Sequence, residues 1–458
     1  MVNAVAKYQK YAEYKDSGVE WLGEIPSHWV IAGFKKYLES IVDYRGKTPE
    51  KVEEGIFLVT ARNIKNGSID YSLSQEYVAL KDYDEIMSRG KPIRGDVVFT
   101  TEAPLGEVAQ IDHVDIALAQ RVIKFRGMKN ILDNTYLKYF ILSQPFQDSL
   151  MTFATGSTAL GIKAERLGYL QQCIPSIYEQ TQITNFLDHE TAKIDTLIVK
   201  QEKLIELLKE KRQAVISHAV TKGLNSDVPM KDSGVEWLGQ VPEHWDLAPV
   251  RRYLIEHRQG YYTTDSYVDH GLKLLRITDL RDLGEISVSN CPMVDPSETT
   301  DLFKLKKGDV VFARTGGAGS FGVVTEDYEN LIYASYLIRF RFMSQYFEPK
   351  YLKYVFQADS FQLSVKQNIH GGVNQNIHAE DIKNTVICSP SLDEQKQIAK
   401  YLDYQCLLFK NLIIKALTSV ELMQERRTAL ISAAVTGKID VRNWQAPNAT
   451  EREMEVST

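Results

Sequence analysis

The side chains in this sequence that could do chemistry are mostly those that bind nucleic acid, and they lie in polar loops. Arginine and lysine bind phosphates and guanine, whereas asparagine and glutamine pair with adenine. The loop Asn368–Asn376 combines amide side chains with two glycines, which let a backbone approach a phosphate. The residues that we predict to contact nucleic acid are Arg45, Lys47, Thr48, Arg62, Asn63, Lys65, Ser157, Thr158, Arg258, Gln259, Tyr261, Tyr262, Arg276, Thr278, Arg281, His370, Asn374, Gln375 and Asn376.

Motifs for catalysis are missing from the sequence. The run Gly46-Lys47-Thr48 resembles the end of a phosphate-binding loop, but Ile41 stands where that motif requires its first glycine. The glycine-rich run Arg314–Gly319 lacks the G-x-G-x-x-G spacing of a dinucleotide fold. There is no H-E-x-x-H, no G-x-S-x-G, no metal-spaced cluster, and no Asn-Pro-Pro or Asp-Pro-Pro run. We therefore expect a protein that is not an enzyme and that needs no metal or cofactor.

The overall charge of the chain is unusual for a nucleic-acid-binding protein. It has 54 Lys and Arg against 60 Asp and Glu, a net charge of −6. A chain that neutralised many phosphates alone would be basic. The net charge by itself therefore argues against nucleic acid as a partner.

Two phrases occur twice and indicate an internal repeat. Lys15–Trp29 returns as Lys231–Trp245. Pro175–Ile183 returns 215 positions later as Pro390–Ile398. The first phrase is typical of a turn held by buried tryptophans. The second places a serine three residues before a glutamate, which is the capping-box signature of a helix start.

Each helix start opens a run of about 40 residues that fits a heptad, the spacing of a seam facing another helix. The predicted seam positions of the first run are Ile183, Leu187, Glu190, Ile194, Leu197, Gln201, Leu204, Leu208, Lys211, Val215 and His218. The second run has the same register at Ile398, Leu402, Gln405, Phe409, Leu412, Ala416, Ser419, Met423, Arg426, Leu430 and Ala433. The matched registers favour an intramolecular antiparallel coiled coil over two ordinary core helices.

Short β-branched and aromatic runs between the repeats predict two mixed, strand-rich heads. The predicted strands are Ile56–Val59, Val97–Thr100 and Val122–Phe125 in the first head, and Leu272–Ile277, Val310–Phe312 and Leu337–Phe340 in the second. The fold class is α+β, with two globular heads separated by two long antiparallel helices in a pseudo-twofold repeat. The predicted boundaries are 1–175 and 224–389 for the heads, 176–223 and 390–440 for the helices, and 441–458 for a disordered tail.

The chain has four cysteines, Cys173, Cys291, Cys388 and Cys406, with no C-x-x-C pair. We expect buried thiols in a reducing compartment. No window holds 18 consecutive apolar residues, and the first 15 residues lack a signal-peptide core. We expect a cytoplasmic protein that does not bind membranes.

The repeated phrases and the helix endings Ala214–Thr221 and Ala429–Asp440 resemble the specificity subunits of type I restriction-modification systems. The resemblance covers nearly the whole chain. It implies two target-recognition domains, each reading one half of a bipartite site in double-stranded DNA, with a spacing set by the helices. It also implies partners: two methyltransferase subunits that bind S-adenosylmethionine, and restriction subunits that hydrolyse ATP and cut DNA.

In such a complex the partners share the neutralisation of phosphates, which accommodates the acidic charge. We expect the exposed helix faces around Glu206–Lys211 and Glu421–Arg426 to dock the methyltransferase subunits. Two alternatives stay open from the residues alone: a fused methyltransferase or nuclease, and a protein-binding scaffold with no DNA role.

Overall fold

The computed structural model describes residues 8–46, 48–156, 160–317, 319–367 and 376–446. The chain divides into two compact units: unit 1 comprises Met1–Gln201 and Thr418–Thr458, and unit 2 comprises Glu202–Leu417. The divisions between the units fall inside both long helices. Each unit therefore holds one strand-rich head with part of each helix, whereas the predicted boundaries divide the chain by element.

Unit 1 contains two four-stranded sheets and three strand pairs. One sheet is antiparallel with the order β11-β10-β13-β4, and the other has the order β12-β6-β9-β5 with β12 parallel to β6. The strands are β1 Tyr14–Asp16, β2 Glu24–Pro26, β3 Val30–Gly33, β4 Leu38–Asp43, β5 Lys51–Val52, β6 Ile56–Val59, β7 Ile64–Lys65, β8 Ser68–Ile69, β9 Tyr77–Val78, β10 Val97–Thr101, β11 Leu105–Gln110, β12 Ile116–Leu118, β13 Val122–Gly127 and β14 Gln171–Ile174.

Unit 2 repeats this plan with fewer strands. Its four-stranded sheet has the order β18-β24-β21-β22, and a three-stranded sheet has the order β20-β19-β23 with β19 parallel to β23. The strands are β15 Met230–Asp232, β16 Gln240–Pro242, β17 Asp246–Pro249, β18 Leu254–Gln259, β19 Leu272–Leu275, β20 Met293–Val294, β21 Asp309–Ala313, β22 Phe321–Val323, β23 Leu331–Tyr333, β24 Leu337–Phe342 and β25 Val386–Ser389.

Two helices are much longer than the rest. The α-helices are α1 Tyr83–Ile86, α2 Asn134–Leu142, α3 Gln144–Phe153, α4 Ile177–Lys222, α5 Pro349–Gln357, α6 Asp359–Gln367, α7 Ala379–Asn384 and α8 Leu392–Val435. Short 3₁₀ helices occupy Leu80–Asp82, Arg166–Tyr169, Val250–Tyr253, Ile277–Asp279, Asp282–Gly284 and Thr300–Phe303. The predicted mixed α and β composition is confirmed, and all six predicted strands are present to within two or three residues.

The two copies of the tryptophan-containing phrase hold the starts of the long helices. Trp29 is fully buried, and its indole donates to Glu179 Oε1 at 3.3 Å. Trp245 is equally buried, and its indole donates to Glu394 Oε1 at 3.1 Å. The tryptophan that ends each phrase is therefore the buried one, whereas Trp237 earlier in the second phrase is exposed.

The helix starts satisfy half of the predicted capping box. The hydroxyls of Ser176 and Ser391 accept from the backbone N–H of Glu179 and Glu394, both at 3.3 Å. The glutamate side chains are hydrogen-bonded instead to the histidine and the tryptophan of the preceding phrase. The motif therefore joins a helix start to its head as well as capping the helix.

The predicted heptad register is wrong at three apolar positions, while its other apolar positions are buried or half-buried. Leu197 and Leu204 are exposed, whereas their neighbours Ile198 and Ile205 face inward. In the second helix Leu412 is exposed and Ile413 is half-buried. Each of these three positions belongs to a pair of adjacent apolar residues, and sequence periodicity does not show which residue of the pair is buried.

The end of α8 packs against the first copy of the tryptophan-containing phrase. Gly437 follows α8 with a φ of +72°, and a Cβ there would lie 2.3 Å from Pro26 Cδ. Beyond it, Val441 is buried and Trp444 packs edge-on against Phe186. Val441 and Trp444 therefore pack within unit 1, residues 443, 445 and 446 are exposed, and residues 447–458 lie outside the described residues, so the tail stays a prediction.

All four cysteines are buried free thiols, as predicted. Burial raises the pKa of Cys173, Cys291 and Cys388 to about 12, which keeps these side chains protonated. No helix among the described residues is long and apolar enough to cross a membrane.

Candidate nucleic-acid interface

In unit 1 a hydrogen-bonded frame forms where the strands of the antiparallel sheet end. The backbone N–H of Thr101 donates to Arg121 O at 2.9 Å, and Tyr44 N–H donates to Val122 O at 3.4 Å. Ile162, which follows the loop after α3, donates its N–H to Thr101 O at 2.9 Å. The frame brings together three loops that are far apart in the sequence.

Two adjoining cavities of about 420 and 490 Å³ open at these strand ends, and we call them together the strand-end groove of unit 1. Arg45, Gly46 and Gln120 line both cavities. Other polar residues of the groove are Thr48, Arg89, Glu102, Arg121, Thr155 and Lys163. The lining offers amide, hydroxyl and guanidinium groups, which are the side chains that contact bases and phosphates.

Carboxylates orient the arginines of this groove. Arg45 Nε lies 2.6 Å from Asp43 Oδ2, and Arg121 Nε lies 2.6 Å from Glu102 Oε1. Arg89 donates to the backbone carbonyls of Asp43 and Arg45. About half of the Arg45 and Arg121 side-chain surfaces is exposed, at 52% and 51%, so both can meet a ligand.

Unit 2 has the same frame with different side chains. Arg314 N–H donates to Tyr336 O at 2.9 Å, Gly260 N–H to Leu337 O at 3.0 Å, and Ile377 N–H to Arg314 O at 3.0 Å. A cavity of about 230 Å³ opens there, lined by His257, Arg258, Gln259, Arg314, Ile338, His378 and Ala379. We call it the strand-end groove of unit 2.

A buried ion network underlies the sheet of each unit. In unit 1, Asp96 lies 3.2 Å from Lys124 Nζ and 2.7 Å from Arg126 Nε. Burial disfavours the charged form of Asp96, but the hydrogen bonds from Arg126 and the charge of Lys124 outweigh it and lower the pKa. The network fixes adjacent strands with charges that remain ionised.

The candidate contacts of the first head fall into three groups. Arg45 and Thr48 line the groove, and Thr48 Oγ1 accepts from Gln120 at 2.9 Å. Arg62 and Lys65 are exposed but do not line it. Lys47, Ser157 and Thr158 lie outside the described residues.

The structure contradicts the prediction that Asn63 contacts DNA, because its side chain is fully buried. Its Oδ1 accepts from the N–H and hydroxyl of Thr60, and its Nδ2 donates to the carbonyls of Asp70 and Leu73. Its hydrogen-bonding groups are used inside the loop, so we withdraw it as a base contact.

In the second head, the groove holds Arg258 and Gln259. Asn376 forms a backbone bridge with Thr315 at the same strand ends. Tyr262 is exposed, whereas Tyr261 packs against Phe303 at 5.5 Å. His370, Asn374 and Gln375 lie outside the described residues.

Three predicted contacts of the second head lie in a different place. The guanidinium of Arg276 forks onto Asp279 at 3.1 and 3.2 Å, and Arg281 donates to Thr278 O at 2.9 Å. Arg281 lines a separate cavity of about 1040 Å³, together with Arg212 and Lys366. The structure therefore does not bring these three residues to the strand-end groove.

Sequence reasoning missed Arg89, Gln120, Arg121, Lys163 and Arg314. A usable signal existed at Gln120-Arg121, since this polar pair interrupts the apolar segment between β12 and β13. The matched place in the second copy holds Ser335-Tyr336, so the copies differ there. The proximity of Gln120 and Arg121 to Arg45 depends on strand pairing, so it could not be predicted from their spacing in the sequence.

The long helices expose apolar side chains as well as charges. In unit 2 the exposed residues are Leu204, Leu207, Tyr401, Tyr404, Leu407, Leu408, Leu412, Ile414 and Leu417. In unit 1 they include Leu197, Val199 and Leu422. Contiguous exposed leucines on a helix are typical of a surface that a partner covers.

Comparison with known proteins identifies the family. Residues 38–207 and 279–417 match the type I restriction modification DNA specificity domain, and this chain belongs to that family. The family predicted from the repeated phrases is therefore confirmed.

Two curated relatives are specificity subunits. The EcoKI specificity subunit of Escherichia coli K12 is 23% identical over 448 residues, covering 93% of this chain and 92% of the relative. The MjaVIII specificity subunit of Methanocaldococcus jannaschii is 25% identical over 334 residues, covering 71% of this chain and 75% of the relative.

A solved structure also resembles this chain. A chain from a study of assembly of the type I R-M system superposes with a TM-score of 0.67 at 15% identity, covering 90% of this chain and 98% of that one. At that identity the superposition supports the fold alone.

Proposed function

We propose that this chain is the DNA-specificity subunit of a type I restriction-modification complex, and that it recognises a bipartite site through its two heads. The observation that carries the proposal is the duplicated strand-end groove, in which the same backbone frame presents different side chains. A duplicated frame suits two recognitions of one kind, and differing side chains suit two different half-sites.

The boundaries predicted from the sequence define the parts of this proposal. Segments 1–175 and 224–389 act as target-recognition domains, while 176–223 and 390–440 pair antiparallel as a coiled coil and set the spacer between half-sites. Contacts within each unit support the pairing: Arg427 Nε of α8 lies 2.8 Å from Asp195 Oδ1 of α4 in unit 1. In unit 2, Ile216 of α4 shares a buried cluster with Leu402 and Cys406 of α8.

The DNA contacts that we retain as a proposal are those that are exposed, line a strand-end groove or lie at its strand ends: Arg45, Thr48, Arg62, Lys65, Arg258, Gln259, Tyr262, Thr278, Arg281 and Asn376. Lys47, Ser157, Thr158, His370, Asn374 and Gln375 stay predictions from the sequence. The cytoplasmic location also stays a prediction.

The test of this function is to co-express the chain with its methyltransferase subunit and to map methylated sites by sequencing. We expect one bipartite motif, with a gap of fixed length. A continuous motif, or methylation without sequence preference, would contradict the proposal. Binding of S-adenosylmethionine by the purified chain alone would favour the fused-enzyme alternative.

We further propose that the exposed leucines of α4 and α8 dock the methyltransferase subunits, on the faces that include Glu206–Lys211 and Glu421–Arg426. Leu207→Asp with Leu407→Asp should abolish co-purification of the methyltransferase subunit, because each places a charge in an apolar contact. The control is Lys129→Gln, an exposed change outside both long helices. Retained co-purification in the double variant would exclude this surface.

A further inference from the structure

In the strand-end groove of unit 1, both the backbone and the side chain of Arg121 are held in place. Arg121 has a φ of +77°, a left-handed conformation that is uncommon for a residue with a side chain. Its carbonyl accepts from both the N–H and the hydroxyl of Thr101, at 2.9 and 3.1 Å. Such conformations persist where the surroundings impose them, and they cluster at functional sites.

The side chain of Arg121 is oriented by Glu102. The Nε to Oε1 distance of 2.6 Å fixes one side of the guanidinium, while 51% of the side-chain surface stays exposed. A neighbouring carboxylate reduces the net positive charge, which weakens attraction to a phosphate. It also fixes the plane of the donor fork, which favours recognition of a planar acceptor pair.

The second copy keeps the backbone hydrogen bond at this position, without the positive φ, while the side chain changes. Tyr336 occupies the place of Arg121, and its carbonyl accepts from Arg314 N–H at 2.9 Å, as the Arg121 carbonyl accepts from Thr101. The partner of Arg121 changes as well, since Thr315 takes the place of Glu102. A constant frame with exchanged side chains is what two heads that read different sequences require.

We propose that Arg121 reads a guanine in the half-site bound by the first head, and that Glu102 is its positioning residue. The exposed guanidinium N–H groups would donate to O6 and N7 of guanine in the major groove, the commonest specific contact of arginine with a base. The inference rests on the proposed function, and it adds a base and a residue to it.

The test compares variants in the complex with the methyltransferase subunit, using duplexes that carry single substitutions across the mapped site. Arg121→Gly removes the side chain at a φ that glycine adopts readily, so the fold should be retained. We expect preference for one G·C pair in one half-site to fall about 5- to 150-fold, with the other half-site and the gap unchanged. Glu102→Gln should weaken the same preference by less, and Lys129→Gln, an exposed change outside the groove, should not alter it.

The possible failures are distinguishable. If Arg121→Gly weakens all duplexes equally and lowers the salt dependence by about one charge, Arg121 contacts a phosphate and the inference is wrong. An unchanged preference at every position also overturns it while leaving the two-head function intact. A wild-type complex with no bipartite preference overturns the proposed function and this inference together.

Discussion

Each head has an ion network in its antiparallel sheet at matching positions. The two networks differ in the number and the type of their charged side chains. In unit 1 the single carboxylate of Asp96 faces Lys124 and Arg126. In unit 2, Arg339 and Arg341 take the places of these two bases and share two carboxylates.

The unit 2 carboxylates are those of Asp309 and Glu256. Arg341 Nε lies 2.8 Å from Asp309 Oδ1, and Arg339 and Arg341 lie 2.5 and 2.9 Å from Glu256 Oε1. Ser40 in unit 1 occupies the strand position of Glu256, since each pairs with the equivalent arginine of the neighbouring strand. Each head therefore neutralises its buried charges with its own side chains, and neither network depends on side chains of the other.

The largest effect should follow from removing Asp96, the carboxylate that both bases of the unit 1 network contact. Asp96→Asn leaves Lys124 and Arg126 without a carboxylate, which should lower the local unfolding free energy by about 3–5 kcal/mol. Asp309→Asn in unit 2 should cost about 1–3 kcal/mol, because Glu256 still faces both arginines. Hydrogen exchange of β10 and β21 in the full chain measures each unit separately. Equal losses in the two units would show that Glu256 does not compensate.

The glutamates that join each helix start to its head also differ between the units. Glu179 is almost fully buried, with His28 Nε2 at 2.9 Å, whereas Glu394 is 26% exposed, with His244 Nε2 at 3.2 Å. Glu179→Gln should therefore destabilise unit 1 by about 1.5–3 kcal/mol, and Glu394→Gln should affect unit 2 less. Thermal unfolding with unit-specific exchange probes checks the order, and the reverse order would contradict the burial argument.

The contribution of Glu179 should also depend on pH. Burial works against its charge, but hydrogen bonds from His28 and Trp29 outweigh burial and lower its pKa below the ordinary 4.5. A folded pKa below the unfolded one gives stability that is present above about pH 4.5 and is lost as the pH falls through the folded value. The stability difference between wild type and Glu179→Gln should therefore shrink below pH 4.5. A difference that stays constant would show that the pKa is not lowered.

Much of this framework could be predicted from the sequence because it rests on local patterns that occur twice. The serine and glutamate of each helix start and the final tryptophan of each phrase lie where the repeats indicated. The buried faces of the helices could not be predicted fully, because pairs such as Leu197-Ile198 fit either register. Asn63 and Arg121 could not be assigned either, because the burial of one and the left-handed backbone of the other depend on distant residues.

The smallest expected effect concerns an ion pair between α4 and α8 that is present in unit 1 and missing at the equivalent positions of unit 2. Arg427 has Asp195 as its partner, whereas the equivalent Arg212 has a buried Nε without a hydrogen bond, and Lys410 stands where an aspartate would match Asp195. Lys410→Asp should therefore raise the stability of unit 2 by about 0.5–1 kcal/mol. Lys415→Asp, an exposed change on the same helix, is the control. Equal effects of the two substitutions would contradict equivalent pairing of the helices.

The most direct test of the account is to lengthen α4 and α8 by one heptad each and to map the methylated motif of the resulting complex. Seven residues add about 10 Å of helix, the length of about three base pairs. The account predicts two unchanged half-sites separated by a longer gap. An unchanged gap, or altered half-sites, would contradict the claim that two independent heads read DNA at a distance set by the helices.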